Sequence, residues 1–242
     1  MKVYKYRCNK DKELFERDLE TFSNNSFFAS TFEGFSDELE ANFNEQISIT
    51  LNCIDKSNIH SKTVMSCLKD VIEFKEKIGV YCVTKRFDNE YMWNEYANEN
   101  QGYCIEYELE KITDKSKNID FSENFDVIYD FKTPILNIND IGSNSLIQKM
   151  FGVKRLMYSQ EEEVRLIFNH SSIKNHHYSA ITAIYFGEKT DKALIQKFYE
   201  KFKNREIKIY RMLTNENNVL SRKVINEFSR ELKFDLNKPL WT

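Results

Sequence analysis

The sequence predicts an α+β fold with a central, mostly antiparallel sheet and flanking helices. Three observations predict it. Strand and helix patterns are mixed along the chain without strict βαβ alternation. The segments 80–84 and 180–186 are apolar with little alternation, as strands buried on both faces are. The segment 191–204 places Leu194, Ile195, Phe198, Tyr199 and Phe202 on one helical stripe. With 242 residues, 41% hydrophobic and 14% aromatic, the chain can bury a sizeable core as a single domain, 1–242. The two prolines, Pro134 and Pro239, and six glycines leave no stretch that reads as a linker.

The elements follow in order. Lys2 to Cys8 alternates charge with Val3, Tyr4 and Tyr6, a strand pattern. Asp11 to Asn24 puts Leu14, Phe15, Leu19 and Phe22 on one helical face. Ser26 to Phe32 is a short apolar strand, and the acidic segment Glu33 to Asn44 reads as a surface loop or short helix. Val64 to Ile78 has helical spacing, giving a helix Lys62–Ile78 stopped by Gly79. Val80 to Thr84 is a strand, Glu90 to Asn100 a helix, and Gly102 opens the strand Tyr103 to Leu109. Lys111 to Glu123 reads as a loop, Phe125 to Phe131 as a strand and Ser143 to Phe151 as a helix. The apolar alternation Val164, Leu166, Phe168 ends the next segment. Gly187 closes the strand Ala180 to Phe186, Ile207 to Leu213 is a strand, and Arg222 to Leu232 a helix.

Net charge is −3 and the sequence pI about 5.9, which gives no basis for general nucleic-acid binding. The basic run Lys197 to Lys208 alternates with aromatics and acids, as the solvated face of an amphipathic helix does. Five cysteines with no CxxC spacing, and the adjacent His176 and His177 standing apart from them, make no zinc pattern. Cys82 and Cys104 sit in apolar runs and read as buried free thiols. No apolar run reaches the length of a bilayer span, and residues 1–7 have no signal-peptide core. The expectation is a cytoplasmic protein in a reducing compartment, without membrane association or a metal.

Phosphate-cradling glycine loops and the common hydrolase strings are absent from the sequence. Three segments could carry chemistry. The first is Tyr4-Lys5-Tyr6-Arg7, where Arg7 could grip a phosphate through its bidentate fork or simply face solvent. The second holds Trp93 and Tyr96 on one helix face, followed by Tyr103; such rings can wall a nucleotide pocket or pack a core. The third is Glu161-Glu162-Glu163-Val164-Arg165. Glu161 and Glu163, two apart at a strand entrance, project to one side, with Arg165 continuing that face. Paired carboxylates can stabilise an electron-poor transition state; the competing reading is a solvated strand end or a structural Glu–Arg pair.

Together these blocks resemble the bacterial family known as domain of unknown function 2971. The blocks are Tyr4 to Arg7, Val80 to Thr84, Met92-Trp93-x-x-Tyr96 through Gly102 to Glu106, Lys154 with Glu161-x-Glu163-x-Arg165, and Ile184 to Gly187. The family's Asn-Asp-Pro is replaced by Phe32-Glu33-Gly34-Phe35, and the tryptophan before its paired glutamates by Tyr158. The order Arg7, Thr84, Glu161-x-Glu163 is also similar to the Arg–Ser–Glu layout of ADP-ribosyltransferases. That similarity implies a function: an NAD-consuming enzyme, either an ADP-ribosyltransferase or an NAD glycohydrolase, acting as a toxin or phage-defence effector with a protein partner or antitoxin. It implies Glu163, Glu161 and Arg7 as catalytic residues. Tyr6, Thr84, Trp93, Tyr96, Tyr103 and Arg165 would hold NAD, the substrate. The alternative is a non-catalytic module of a defence system that binds a nucleotide or a partner protein.

Overall fold

The computed structural model describes residues 1–35, 37, 40–41, 66, 69–70, 73–132, 134, 140, 146–214 and 220–227. The strands are β1 (Lys2–Arg7), β2 (Ser26–Ala29), β3 (Gly79–Thr84), β4 (Tyr103–Glu108), β5 (Phe121–Asp126), β6 (Ile128–Asp130), β7 (Val153–Arg155), β8 (Glu163–Phe168), β9 (Ser172–Asn175), β10 (Ile181–Phe186), β11 (Lys208–Thr214) and β12 (Leu220–Glu227). The α-helices are α1 (Lys12–Ser23), α2 (Glu90–Glu95), α3 (Leu109–Ile112), α4 (Leu146–Phe151) and α5 (Lys192–Phe202). Eight strands form one sheet in the order β12-β11-β10-β4-β1-β3-β8-β5; β12 with β11, β10 with β4, β4 with β1, β1 with β3 and β8 with β5 pair antiparallel, and β10 with β11 parallel. The fold is the expected α+β one, with a large, mostly antiparallel central sheet. Among the described residues, no helix is long and apolar enough to cross a membrane.

The chain divides into two compact units. Unit 1 comprises Met1–Phe28, Val83–Ile119 and Ile173–Thr242; unit 2 comprises Ala29–Cys82 and Asp120–Ser172. In unit 1, β1 pairs along its whole length with β4, so Tyr6 faces Cys104 and Arg7 faces Tyr103. Asp11 caps α1 by accepting from the backbone N–H of Glu13 at 2.8 Å and of Leu14 at 3.0 Å. Phe15, Leu19 and Phe22 then fall on the buried face, while Leu14 is exposed. Asp191 caps α5 in the same way, and Phe198 of α5 packs on Phe15 and Tyr103 at ring distances of 5.9 and 4.7 Å. A second apolar cluster in this unit gathers Tyr4, Tyr6, Trp93, Cys104, Tyr185 and Tyr210.

Unit 2 has its own core of Ile78, Val80, Phe125, Met150, Phe151 and Ile167. β5 pairs antiparallel with β8, and β6 pairs parallel with β7 in a separate two-stranded sheet. Of the expected helix Lys62–Ile78, residues 66, 69–70 and 73–77 are described and helical and Ile78 lies just past the helix; the others lie outside the described residues, as do Cys53 and Cys67. Cys104 is buried and Cys82 only partly so.

Several boundaries differ from the sequence reading. The helix expected at 90–100 stops at Glu95, because Asn98, Glu99 and Asn100 all take left-handed backbone angles, with φ of 52°, 52° and 66°. The segment 222–227, expected to be helical, is strand β12, paired antiparallel with β11. Its β-branched Val224 and Ile225 suit a strand; the expected continuation to Leu232 lies outside the described residues. The polar stretch 111–123 contains the last turn of α3 and the first residues of β5 rather than only loop.

Candidate functional site

The sequence-predicted residues fall into three groups. Tyr6, Thr84 and Trp93 belong together in unit 1. Tyr6 lies edge-to-face on Trp93 at 5.1 Å, and its hydroxyl donates to the Arg86 carbonyl at 2.9 Å. Burial, with the nearby Cys104 adding to it, pushes the Tyr6 phenol far above its usual range. Thr84 pairs with Tyr4, two residues along β1 from Tyr6, and so shares that face. It is buried, and its Oγ1 has no hydrogen-bond partner among the described residues. The Trp93 indole N–H donates to the Phe87 carbonyl at 2.7 Å, and its side chain is fully buried. Tyr96 is half-buried against the same cluster.

Arg7 and Tyr103 form the second group. They lie opposite each other on β1 and β4, one residue out of phase with Tyr6, and therefore on the other face of the sheet. Tyr103 is packed against Phe15 at 6.0 Å and Phe198 at 4.7 Å, and Arg7 ion-pairs with Asp18 of α1 at 3.4 Å. Within unit 1 the period-two pleat thus puts Tyr6 with Trp93 on one face and Arg7 with Tyr103 on the other, and both aromatic groups pack in the core, the alternative the sequence left open.

Glu161, Glu163 and Arg165 form the third group, wholly in unit 2, and the structure adds two residues to it. A 3-10 helix, Leu156–Glu161, leads from β7 to β8. Glu162 then takes a left-handed conformation (φ 47°, ψ 47°), and Glu163 opens β8. Glu161 and Glu163 do converge, but through this turn rather than through strand periodicity. The point of convergence is Lys154 of β7. Its Nζ lies 2.7 Å from Glu161 Oε2, 3.0 Å from Glu40 Oε1 and 3.4 Å from Glu163 Oε2. Arg165 completes the network. Its Nε donates to Glu163 Oε1 at 2.7 Å, one Nη to Glu40 Oε2 at 2.5 Å, and the other Nη to the Phe151 carbonyl at 2.5 Å. All five side chains are buried, Arg165 completely. Its guanidinium carbon sits 5.5 Å from both the Phe32 and Phe35 ring centres.

The electrostatics follow from the count: three carboxylates against two cations, all buried. Burial alone would raise the Glu163 carboxyl, but Arg165 and Lys154 overcome it and hold Glu163 well below the usual carboxylate range. Burial would likewise lower Lys154 and Arg165, yet the surrounding carboxylates hold both firmly protonated. Glu40 differs: burial outweighs its two cations and, with repulsion from Glu163, raises its carboxyl. Of Glu40 and Glu163, Glu40 is therefore the more readily protonated.

Lys154 also borders a small surface cleft of about 30 Å³, lined by Arg155 of β7, with Asp37, Asp130, Phe131 and Lys132 among the other lining residues. Tyr158 supports this edge, with Lys154 Nζ 4.7 Å and the Arg155 guanidinium carbon 5.6 Å from its ring centre. The aromatic expected at 158 is thus kept, as a platform for two cations.

Sequence reasoning missed Glu40 and gave Lys154 no role. Glu40 falls in an acidic stretch that reads as solvated loop, and only the fold places it 125 residues away in sequence against Arg165. The signal for Lys154 was present: a lone lysine on a short strand before an E-x-E needs a buried counter-charge.

No curated protein and no solved structure matches the chain. The family described as protein of unknown function DUF2971 matches residues 92–166, the stretch that runs from Met92 through Trp93, Lys154, Glu161 and Glu163 to Arg165 and Leu166.

Proposed function

We propose that the chain is an NAD-consuming enzyme whose charge-stabilising group is the carboxylate cluster of unit 2. The observation that carries this reading is the cage of Glu40, Glu161 and Glu163 around a single cation, with two contacts of 3.0 Å or less. A dry cage of this kind acts on positive charge far more strongly than exposed carboxylates do. Cleavage of NAD develops such a charge. The glycosidic C–N bond breaks, its electron pair leaves with nicotinamide, and the ribosyl carbon is left as an oxocarbenium ion. Water or an acceptor hydroxyl then adds and gives up its proton to a carboxylate. In this reading the Lys154 ammonium marks the position of that cation and moves into the adjoining cleft when substrate enters. Glu163 supplies the charge and Glu161 orients the acceptor. An effector of this type would serve as a toxin or in phage defence, restrained by a protein partner.

A second reading, a non-catalytic nucleotide- or partner-binding module, is favoured by one observation. Glu163 has both oxygens within 3.4 Å of a cation, so its charge is already compensated. Incubating the purified chain with NAD and measuring released nicotinamide separates the two. The enzyme reading expects release by wild type, a loss of at least about 100-fold in Glu163→Gln, and little change in Glu162→Gln. Wild-type protein that leaves NAD intact over hours at micromolar concentration hands the site to the binding module.

A further inference from the structure

We propose that Tyr129 is the positioning residue of the carboxylate cage, holding the turn at Glu162 that brings Glu161 and Glu163 onto one cation. Tyr129 is the middle residue of β6 and pairs with Lys154 in the parallel register of β6 with β7. Side chains of neighbouring paired residues project to the same side of a sheet. Ile128 and Asp130 on either side are exposed whereas Tyr129 is half-buried, so Tyr129 lies on the face turned towards the cage. The small sheet therefore delivers two groups side by side. Lys154 reaches the carboxylates, and the Tyr129 hydroxyl reaches the backbone between them, accepting from the Glu163 N–H at 2.9 Å.

That contact stands where a helix end commonly closes on itself. Glu161 ends the 3-10 helix, Glu162 is left-handed, and Glu163 follows as the first residue of β8. In the usual left-handed helix stop, the N–H two residues past the helix turns back to a helix carbonyl. Here the Glu163 N–H is taken instead by a tyrosine 34 residues earlier in the chain. The bond within the turn, from the Glu162 N–H to the Ser159 carbonyl, is long at 3.3 Å. A residue other than glycine enters the left-handed region at a cost, and stays there where its surroundings over-determine it. The Tyr129 bond is such a constraint, and it acts on the residue that carries the second carboxylate. Because Glu161 belongs to the helix and Glu163 to the strand, the angle of this turn, and not a shared periodicity, aligns their carboxylates. Burial, reinforced by the charges of Glu163 and Glu161, holds the Tyr129 phenol above its usual range although the Glu163 N–H opposes this, so the acceptor stays a neutral hydroxyl.

The consequence for NAD cleavage rests on the enzyme reading above; the consequence for the cage does not. Amide exchange and carboxyl titration, followed by NMR on the full chain, read the cage directly. In wild type the Glu163 amide should be protected. Tyr129→Phe keeps the ring and removes the acceptor. Glu163 amide exchange should then rise about tenfold, and the Glu163 carboxyl should titrate higher as its contacts with Arg165 and Lys154 loosen. Glu162→Gly relieves the left-handed turn, so in that background Tyr129→Phe should change both readouts clearly less. An unprotected Glu163 amide in wild type overturns the assignment, as does a Tyr129→Phe protein in which Glu163 exchanges and titrates as before. Effects of equal size in the two backgrounds overturn the positioning role as well. If the chain releases nicotinamide, Tyr129→Phe should lower kcat about tenfold with KM little changed, and an unchanged kcat counts against the role. A wild type that releases none sinks the enzyme reading alone, and the exchange and titration results still decide for or against Tyr129.

Discussion

Lys154 is a lysine with side-chain exposure of 4% that survives as a charge because three carboxylates surround it. Removing one partner of such a network is far more damaging than its net contribution suggests, about 3–5 kcal/mol, because the other charges stay buried. Lys154→Met should therefore lose stability of that order in urea titrations at pH 7. The sign with pH is definite. Without the ammonium the buried carboxylates lose a cation that favours their charged form and shift upward, so the penalty is largest at neutral pH and shrinks in acid as they take up protons. Glu40→Gln should behave differently. Burial raises that carboxyl and the network carries one carboxylate in excess, so a neutral isostere should cost clearly less stability at pH 7 than Lys154→Met in the same titrations. At this scale the sequence was half legible. Glu161, Glu163 and Arg165 could be picked out because charges beside an apolar strand need an explanation. Glu40 could not, since an acidic loop residue and a buried counter-ion look alike until the fold supplies the guanidinium.

At the scale of elements, the turn between α2 and β4 shows what local pattern reading loses. Three successive left-handed residues reverse the chain, and two glycines make room for them. A Cβ on Gly187 would lie 2.1 Å from the Asn100 carbonyl oxygen, and one on Gly102 would lie 2.2 Å from that of Arg7. Asn98 and Asn100 tolerate the left-handed region, but Glu99 does so only at a cost of roughly 1 kcal/mol. Glu99 is exposed, so Glu99→Gly should raise thermal stability, by up to about 1 kcal/mol, where an interior glycine would lower it. Helical spacing through Met92, Trp93 and Tyr96 carried the expectation on to Asn100, because a left-handed turn leaves no periodic signal. The glycines were the legible part, read as the opening of one strand and the end of another. The strand β12 was misread for the opposite reason: adjacent Val224 and Ile225 fit both a helix stripe and a strand, and only pairing with β11 decides.

At the scale of the whole molecule, acid is the weak side. His176 is buried, stacked on Phe27 at 6.3 Å, and burial lowers its pKa to about 4. A histidine depressed in the folded state stabilises above its unfolded pKa of about 6.5, and that contribution is lost as pH falls through the folded value. Glu163, held low, adds a second loss at still lower pH. Unfolding free energy should thus decline between about pH 6.5 and 4 at no more than about 1.4 kcal/mol per pH unit from His176. His176→Phe should flatten that interval and leave the more acidic limb in place. A profile unchanged by the substitution would show that another group titrates there. The α+β class and the buried strands 80–84 and 180–186 were legible because unbroken apolar runs are distinctive. The interleaving of the two units was not, because it depends on which distant segments pair.

That interleaving also bears on synthesis. β1 is made before its partners β3 and β4, which begin at residues 79 and 103. At the usual elongation rates, about 5–20 residues per second, β1 waits several seconds with Val3, Tyr4 and Tyr6 uncovered. β10, the other neighbour of β4, is longer in coming, since residues 120–172 of unit 2 are made first. Unit 2 has all its segments once residue 172 has emerged, whereas unit 1 still lacks β10, α5 and β11. The nascent chain therefore presents a finished second unit and an unfinished first one, with an open edge on β4.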